Sequence, residues 1–255
     1  MITAGIDMGF VYIKAAVLKD GVVIGKACGP SGGAGRPAAA QAVYDEALAE
    51  AGVKVSDVEK VVSTGKGKFN VPFSNEQLGE SVTAAKGARM LVPEATTVVD
   101  IGADEIVVAT LDGEKITEFV INQKCAAGLG VLLEEMADRF EMSMDELSAL
   151  DGPGDVCVND GCVVFAELDA LSLVNRGTDV KEAAKALIEA CAWRAKSTLN
   201  DIYRPLNNCV ALLGGLSQNA AFVKALERVS GIKFIIPGEA VYAAAIGAAG
   251  LAVAS

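Results

Sequence analysis

The chain has 255 residues, more than one ordinary domain needs and a natural length for two. Hydrophobic residues make up 52% and charged residues 22%, which supplies a real core and excludes a disordered chain. Thirty-three acidic against 22 basic residues leave a net charge of −11, which excludes a basic nucleic-acid surface and docking on an anionic membrane.

Residues 2–6 and 13–18 are apolar runs that read as strands on either side of Asp7-Met8-Gly9, and Lys19-Asp20-Gly21 predicts a hairpin into a third strand at 22–24. Residues 36–51 carry apolar positions three and four apart with Gly52 after them, which predicts a helix and its terminator. A strand over 58–63 runs into Thr64-Gly65-Lys66-Gly67-Lys68, and residues 81–91 predict a helix stopped before Pro93. The opening pattern then returns: a strand over 96–101 ending in Asp100-Ile101-Gly102, a strand over 106–111, Asp112-Gly113, and a strand over 116–121. Asp7 and Gly9 map onto Asp100 and Gly102 at an offset of 93, and Asp20-Gly21 onto Asp112-Gly113 at 92. Both are common turn sequences, but their matching order and near-constant offset favour an internal duplication. Beyond it come helices over 128–140 and 144–150, a short strand over 156–158, and helices over 163–174 and 180–199, the latter carrying Trp193. A strand over 208–213 ends in Gly214-Gly215, followed by a helix over 220–229, a strand over 233–236 and a helix over 242–252. No low-complexity linker separates the halves, so a hinge is expected near Glu94.

No segment reaches the ~18 uninterrupted apolar residues of a membrane helix, and residues 1–7 lack the basic start of a signal peptide. A cytoplasmic location is expected, with the six cysteines as reduced thiols or metal ligands. The absence of histidine excludes every mechanism built on His as base, nucleophile or ligand. A Gly-rich turn at the end of a strand exposes amides that cradle phosphate, and an Asp there suits Mg²⁺. Asp7 with Gly9, Asp100 with Gly102, and the late Gly214-Gly215 thus suggest a nucleotide held between two related lobes, with Lys14 to neutralise phosphate. Singly, each is a common turn. Cys125 and Cys162 each stand at the start of a predicted helix, a place that favours a thiolate or an anionic iron–sulfur cluster. Two ligands are too few for a 4Fe–4S cluster; two identical or related subunits sharing one would supply four. Cys28, Cys191 and Cys209 read as small buried hydrophobes, whereas Cys157, five residues before Cys162, is an open second ligand candidate.

Lys124-Cys125-Ala126-Ala127-Gly128-x-Gly130 and Cys162-Val163-Val164-Phe165-Ala166-Glu167 resemble the two signatures of one family. It comprises the ATP-dependent activators of 2-hydroxyacyl-CoA dehydratases and the ATPase subunits of benzoyl-CoA reductases. The resemblance covers nearly the whole chain and includes Ile6-Asp7-Met8-Gly9 with Lys14, Ser63-Thr64-Gly65, Glu80, Val99-Asp100-Ile101-Gly102, Gly214-Gly215, and Tyr242 with Gly247. It implies a duplicated actin/sugar-kinase-like (ribonuclease H-like) α/β fold: one lobe over 1–95 with helix 240–255 returning to it, a second over 96–239, and a nucleotide cleft between them. Asp7, Gly9, Lys14, Gly65, Asp100, Gly102, Gly214 and Gly215 would line the MgATP/ADP cleft, with Asp7, Asp100 and Asp104 in the catalytic roles. Cys125 and Cys162 would ligate one 4Fe–4S cluster shared with a second ATPase subunit, a copy of this chain or a paralogue. The implied partners are the catalytic subunits of an acyl-CoA reductase or dehydratase and a ferredoxin or flavodoxin that supplies electrons.

The chain departs from the family pattern in three places. Phe10-Val11-Tyr12 replaces small or hydroxyl residues, Ala103-Asp104-Glu105 replaces a Gly-Gln-Asp run, and Ala84 stands where a histidine is usual. These departures fit a divergent member of a heteromeric, benzoyl-CoA-reductase-like pair. Two alternatives stand beside the ATP-driven electron donor: a small-molecule kinase with Asp100 or Asp104 as base, and a subunit that keeps the fold but has lost ATP turnover.

Overall fold

The computed structural model describes residues 1–122, 128–203 and 209–253. Among them, ten strands form two five-stranded sheets. The first contains β1 (Ile2–Met8), β2 (Tyr12–Lys19), β3 (Val22–Pro30), β4 (Lys60–Thr64) and β5 (Glu76–Gln77), in the order β3-β2-β1-β4-β5. The second contains β6 (Thr97–Ile101), β7 (Ile106–Asp112), β8 (Lys115–Ile121), β9 (Val210–Leu213) and β10 (Phe234–Ile235), in the order β8-β7-β6-β9-β10. Each sheet is an antiparallel three-strand meander whose first strand pairs in parallel with a later arrival.

The duplication is legible strand by strand. Asp7 pairs with Lys14 and Asp100 with Val107; a bulge falls between Val17 and Leu18 in one copy and between Thr110 and Leu111 in the other, each at an offset of 93. The hairpin turns correct the expected match. Lys19 pairs with Val22 around Asp20-Gly21, both at positive φ, whereas Asp112 pairs with Lys115 around Gly113-Glu114. The Asp112-Gly113 dipeptide is therefore one residue out of step with Asp20-Gly21, and the true offset there is also 93. The first turn takes left-handed backbone at both corners and the second at its first corner alone, as two-residue hairpins allow.

Among the described residues, eight α-helices cover the sheets: α1 (Arg36–Ala51), α2 (Glu80–Leu91), α3 (Leu129–Arg139), α4 (Met144–Ser148), α5 (Val163–Asn175), α6 (Val180–Asn200), α7 (Ala220–Ser230) and α8 (Ala243–Ala252). α1 packs Val43, Tyr44, Ala47 and Leu48 on one face of the first sheet. α3, α5, α6 and α7 build the largest core on the second. Two helices change sides. α2, from the first half of the chain, packs Ala84, Ala85 and Ala88 against Val98, Leu111 and Leu213 of the second sheet. α8, from the second half, packs Ala245, Ile246 and Ala249 against Ala16 and Leu18 of the first. With helices on both faces, β1 and β2 read as near-continuous apolar runs rather than alternating ones.

α2 and α8 meet back to back between the sheets. A Cβ at Gly87 would overlap the Ala243 carbonyl, and one at Gly247 the Thr83 carbonyl. Small residues permit this approach, and Thr3 on β1 secures α8 by a 2.9 Å hydrogen bond to the Ala249 carbonyl.

The expected strand over 156–158 is absent. That segment has no neighbouring strand, and side chains take its flanking amides: Asp155 N–H donates to Glu182 Oε2 at 3.0 Å and Asn159 N–H to Asp169 Oδ2 at 3.0 Å. Local side-chain acceptors thus replace a ladder.

Candidate functional site

The two acidic strand ends face each other across a cleft of about 430 Å³. Asp7, Gly9, Lys14, Gly65, Asp100, Gly102, Asp104, Gly214 and Gly215 all line it. The register explains the first ion pair. Directly opposed residues of an antiparallel pair project to one face, so Asp7 on β1 meets Lys14 on β2, Oδ2 to Nζ at 3.3 Å with both side chains mostly buried. The second copy has Val107 where the first has Lys14, so one lysine serves two aspartates. Burial pulls the Lys14 ammonium down, but Asp7 and Asp100 outweigh it and hold its pKa above the ordinary value. Asp100 lacks a lysine of its own. Burial first and the Asp7 charge second push it up to about 7, against the counterpull of Lys14.

The floor between the lobes holds a second charge group. Lys66, just after β4, reaches Glu105 of the loop between β6 and β7 at 2.8 Å. Glu80, the first residue of α2, shares a hydrogen bond with Glu105. Burial and that neighbour raise the Glu80 carboxyl well above the carboxylate range. Glu105, though also penalised by burial, is held low by Glu80 and Lys66. Burial likewise raises Asp104, partly offset by Lys66. In all, seven carboxyl groups (Asp7, Glu80, Asp100, Asp104, Glu105, Glu134, Asp145) and two lysines (Lys14, Lys66) line the cleft. A polyphosphate meets repulsion in such a site unless a cation accompanies it.

Two glycines make the strand ends possible. Gly65, after β4, and Gly214, after β9, both hold left-handed backbone, φ 86° and 83°. A Cβ on Gly65 would overlap the Met8 carbonyl and the Asp7 carboxylate; one on Gly214 would overlap the Ile101 carbonyl and the Asp100 carboxylate. A left-handed glycine thus backs each aspartate, Gly65 behind Asp7 and Gly214 behind Asp100. Gly215 differs: its Cβ position meets nothing within 4 Å, so its backbone lies open to the cleft. Asn219 caps α7 with its Oδ1, which accepts the Phe222 N–H at 2.9 Å, while its buried Nδ2 has no partner among the described residues.

These residues suit a hydrated Mg²⁺ held jointly with a nucleotide. Asp7 and Asp100 offer hard oxygen donors, and a cation between them would favour the charged form of Asp100 that burial and Asp7 oppose. No three of the described acidic and cysteine side chains form a ready-made metal cage, which agrees with an ion that keeps water and phosphate ligands.

Among the cysteines, Cys162 is the N-cap residue of α5, half-buried. Cys125 lies outside the described residues. Cys157 is exposed and Cys191 fully buried. Cys28 departs from expectation: it sits on edge strand β3, is exposed and lines the cleft, because it pairs with Lys14 and so projects to the same face as Lys14 and Asp7. Cys209 is half-buried. Sequence reasoning missed Glu105, Glu134 and Asn219. Only Asn219, a helix-capping residue type directly before a predicted helix, carried a local signal.

Two like sheets, each ending a strand in a glycine-backed aspartate that faces a common cleft, define the two-lobed α/β fold of actin and the sugar kinases. A ROK-family glucokinase from Streptomyces griseus shares that fold, with a TM-score of 0.63 at 16% identity over 100% of both chains. Residues 4–252 match the BadF/BadG/BcrA/BcrD ATPase family, and the chain belongs to it. The activator of lactoyl-CoA dehydratase from Anaerotignum propionicum is 35% identical over 255 residues, 98% of this chain and 96% of that protein. A benzoyl-CoA reductase component from Thauera aromatica is 31% identical over 82% of this chain and 77% of its own. The structure of the activator of the 2-hydroxyisocaproyl-CoA dehydratase from Clostridium difficile with bound ADPNP superposes with a TM-score of 0.89 at 30% identity, covering 99% of this chain and 94% of that one.

Proposed function

We propose that this chain is an ATP-driven electron activator of an acyl-CoA dehydratase or reductase. MgATP would occupy the cleft: Asp7 and Asp100 would hold the ion, Lys14 would neutralise phosphate, the open backbone at Gly215 would approach the phosphates with Gly102 lining the cleft opposite, and Asp104 would orient the attacking water. Cys125 and Cys162, with the same pair from a second subunit, would hold a 4Fe–4S cluster, which would supply low-potential one-electron chemistry fed by a ferredoxin or flavodoxin. The described half of that site suits an anionic cluster, since Cys162 heads a 13-residue helix whose first amides are free to face negative charge.

The observation that supports this reading is a contact between the cleft loop and the start of α3, the helix that follows the Cys125 segment in the chain. α3 follows residues 123–127 after the single N-cap residue Gly128, and its start is packed onto the cleft loop: a Cβ at Gly128 would overlap Ala103 and Asp104, and Val131 N–H donates to the Ala103 carbonyl at 3.1 Å. Glu134 of the same helix lines the cleft. Whatever moves the loop at 102–105 moves the helix that starts beside Cys125. ATP drives that motion by binding the partner-competent arrangement more tightly than the resting one.

Three relatives matched over 97% or 98% of this chain are named as dehydratase activators or an activating ATPase, and the benzoyl-CoA reductase component is covered less fully. That supports a dehydratase-type client over the reductase-like pairing. The kinase alternative keeps only a shared fold. The test is anaerobic: the cluster's midpoint potential and its accessibility to a chelator are measured without nucleotide, with ADP and with a non-hydrolysable ATP analogue. Both should change with the analogue. Identical values in all three states would remove the electron-activator reading, and an iron-free protein would favour a kinase.

A further inference from the structure

The loop before Cys162 is held by a residue that no part of the ATP cleft uses. Arg194 sits on the 21-residue helix α6 between fully buried Cys191 and Ala195, so its stem is rooted in the core. Its Nε and Nη2 both donate to the Asp160 carbonyl, at 3.1 and 2.9 Å. The amide on the other side of that peptide bond, Gly161 N–H, donates to Asn159 Oδ1 at 2.9 Å. The next amide, Cys162 N–H, donates to the same oxygen at 2.7 Å. Asn159 is itself tied to α5 through Asp169. The peptide leading into Cys162 is therefore clamped at both its oxygen and its nitrogen. The third guanidinium nitrogen, Nη1, is buried and has no hydrogen-bond partner among the described residues. A buried cationic donor left unpaired is costly, and it suits a neighbouring anion.

We infer that Arg194 is a positioning residue for Cys162: its guanidinium fixes the loop that presents the thiolate and places a permanent positive charge beside the cluster ligand. This rests on the proposed reading of Cys162 as a ligand. Outer hydrogen bonds and charges are a protein's means of setting cluster potential. A cation there favours the reduced, more negative state and so raises the potential. Lysine would keep the charge but lose the planar fork.

The test uses the full chain with its cluster reconstituted anaerobically, comparing wild type, Arg194→Gln, Arg194→Lys and Cys162→Ser. In both Arg194 variants the amides of residues 161–163 should exchange with deuterium at least tenfold faster in the metal-free protein. The reconstituted Arg194→Gln protein should release iron to a chelator several-fold faster and show a more negative midpoint potential. Arg194→Lys should restore the potential without restoring the slow exchange. Wild-type exchange and wild-type potential in Arg194→Gln, alongside iron loss in Cys162→Ser, would overturn the inference and leave the ligand reading intact. Full iron in Cys162→Ser would overturn that reading, and the inference with it.

Discussion

Two aspartates related by the duplication live in different electrostatic settings, because one faces Lys14 and the other Val107. Asp100, pushed up to about 7, binds its proton far more tightly in the folded chain than in the unfolded one. Between roughly pH 4 and 7 the native state therefore holds more protons than the unfolded state, and stability falls as pH rises through that window. Asp100→Asn removes the charge that burial penalises. It should melt higher than wild type at pH 8, by about 1–2 kcal/mol once discounted for partial solvent access, and the gain should vanish near pH 4. The same variant should lose ATP turnover by roughly 100-fold or more. A variant less stable than wild type at pH 8 would show that Asp100 holds its turn together instead. The adjoining glycines give a second contrast. Gly214→Ala forces a Cβ into the Asp100 carboxylate at left-handed φ and should cost about 2–4 kcal/mol. Gly215→Ala meets open space and should fold within about 0.5 kcal/mol of wild type while weakening MgATP binding, which calorimetry would detect.

Most elements were legible because their signals are local. Residues 36–51 carry a helical period and a terminal glycine and form α1 over that same span; the Asp-x-Gly turns mark the strand ends that face the cleft. What was not legible depends on partners distant in sequence. The apolar run at 156–158 has no strand beside it, β5 is two residues of ladder set by β4, and Glu105 matters only because Lys66 and Glu80 come to it from elsewhere in the chain. Cys28 looked like core because an edge strand cannot be told from a central one by composition. At this scale the start of α3 is the element to test. Gly130→Ala would press a Cβ against the Ala103 backbone, 2.8 Å from its Cα, and loosen the seat of α3 on the cleft loop. The variant should bind MgATP within a fewfold of wild type, yet the nucleotide-dependent change in chelator access should shrink. A full nucleotide response in Gly130→Ala would mean that coupling runs by another route.

For the whole molecule, the cleft joins two sheets that each own half of the site, so nucleotide should tighten both at once. A non-hydrolysable ATP analogue is expected to slow amide exchange over residues 63–66, 100–105 and 214–219 together while leaving α1 unchanged; protection confined to one sheet would argue against a nucleotide bridging the lobes. The crossing of α2 and α8 has a different consequence, for how the protein is made. Four of the five strands of the first sheet are translated by Thr64, but the helix that covers its inner face begins at Ala243, about 180 residues later. At ~5–20 residues per second, β1, β2 and β4 wait roughly 10–40 s on the ribosome with one apolar face bare. That interval makes the nascent chain a client for chaperones, and it should leave ribosome-bound chains stalled before residue 243 open to protease within the first sheet, whereas released full-length protein resists.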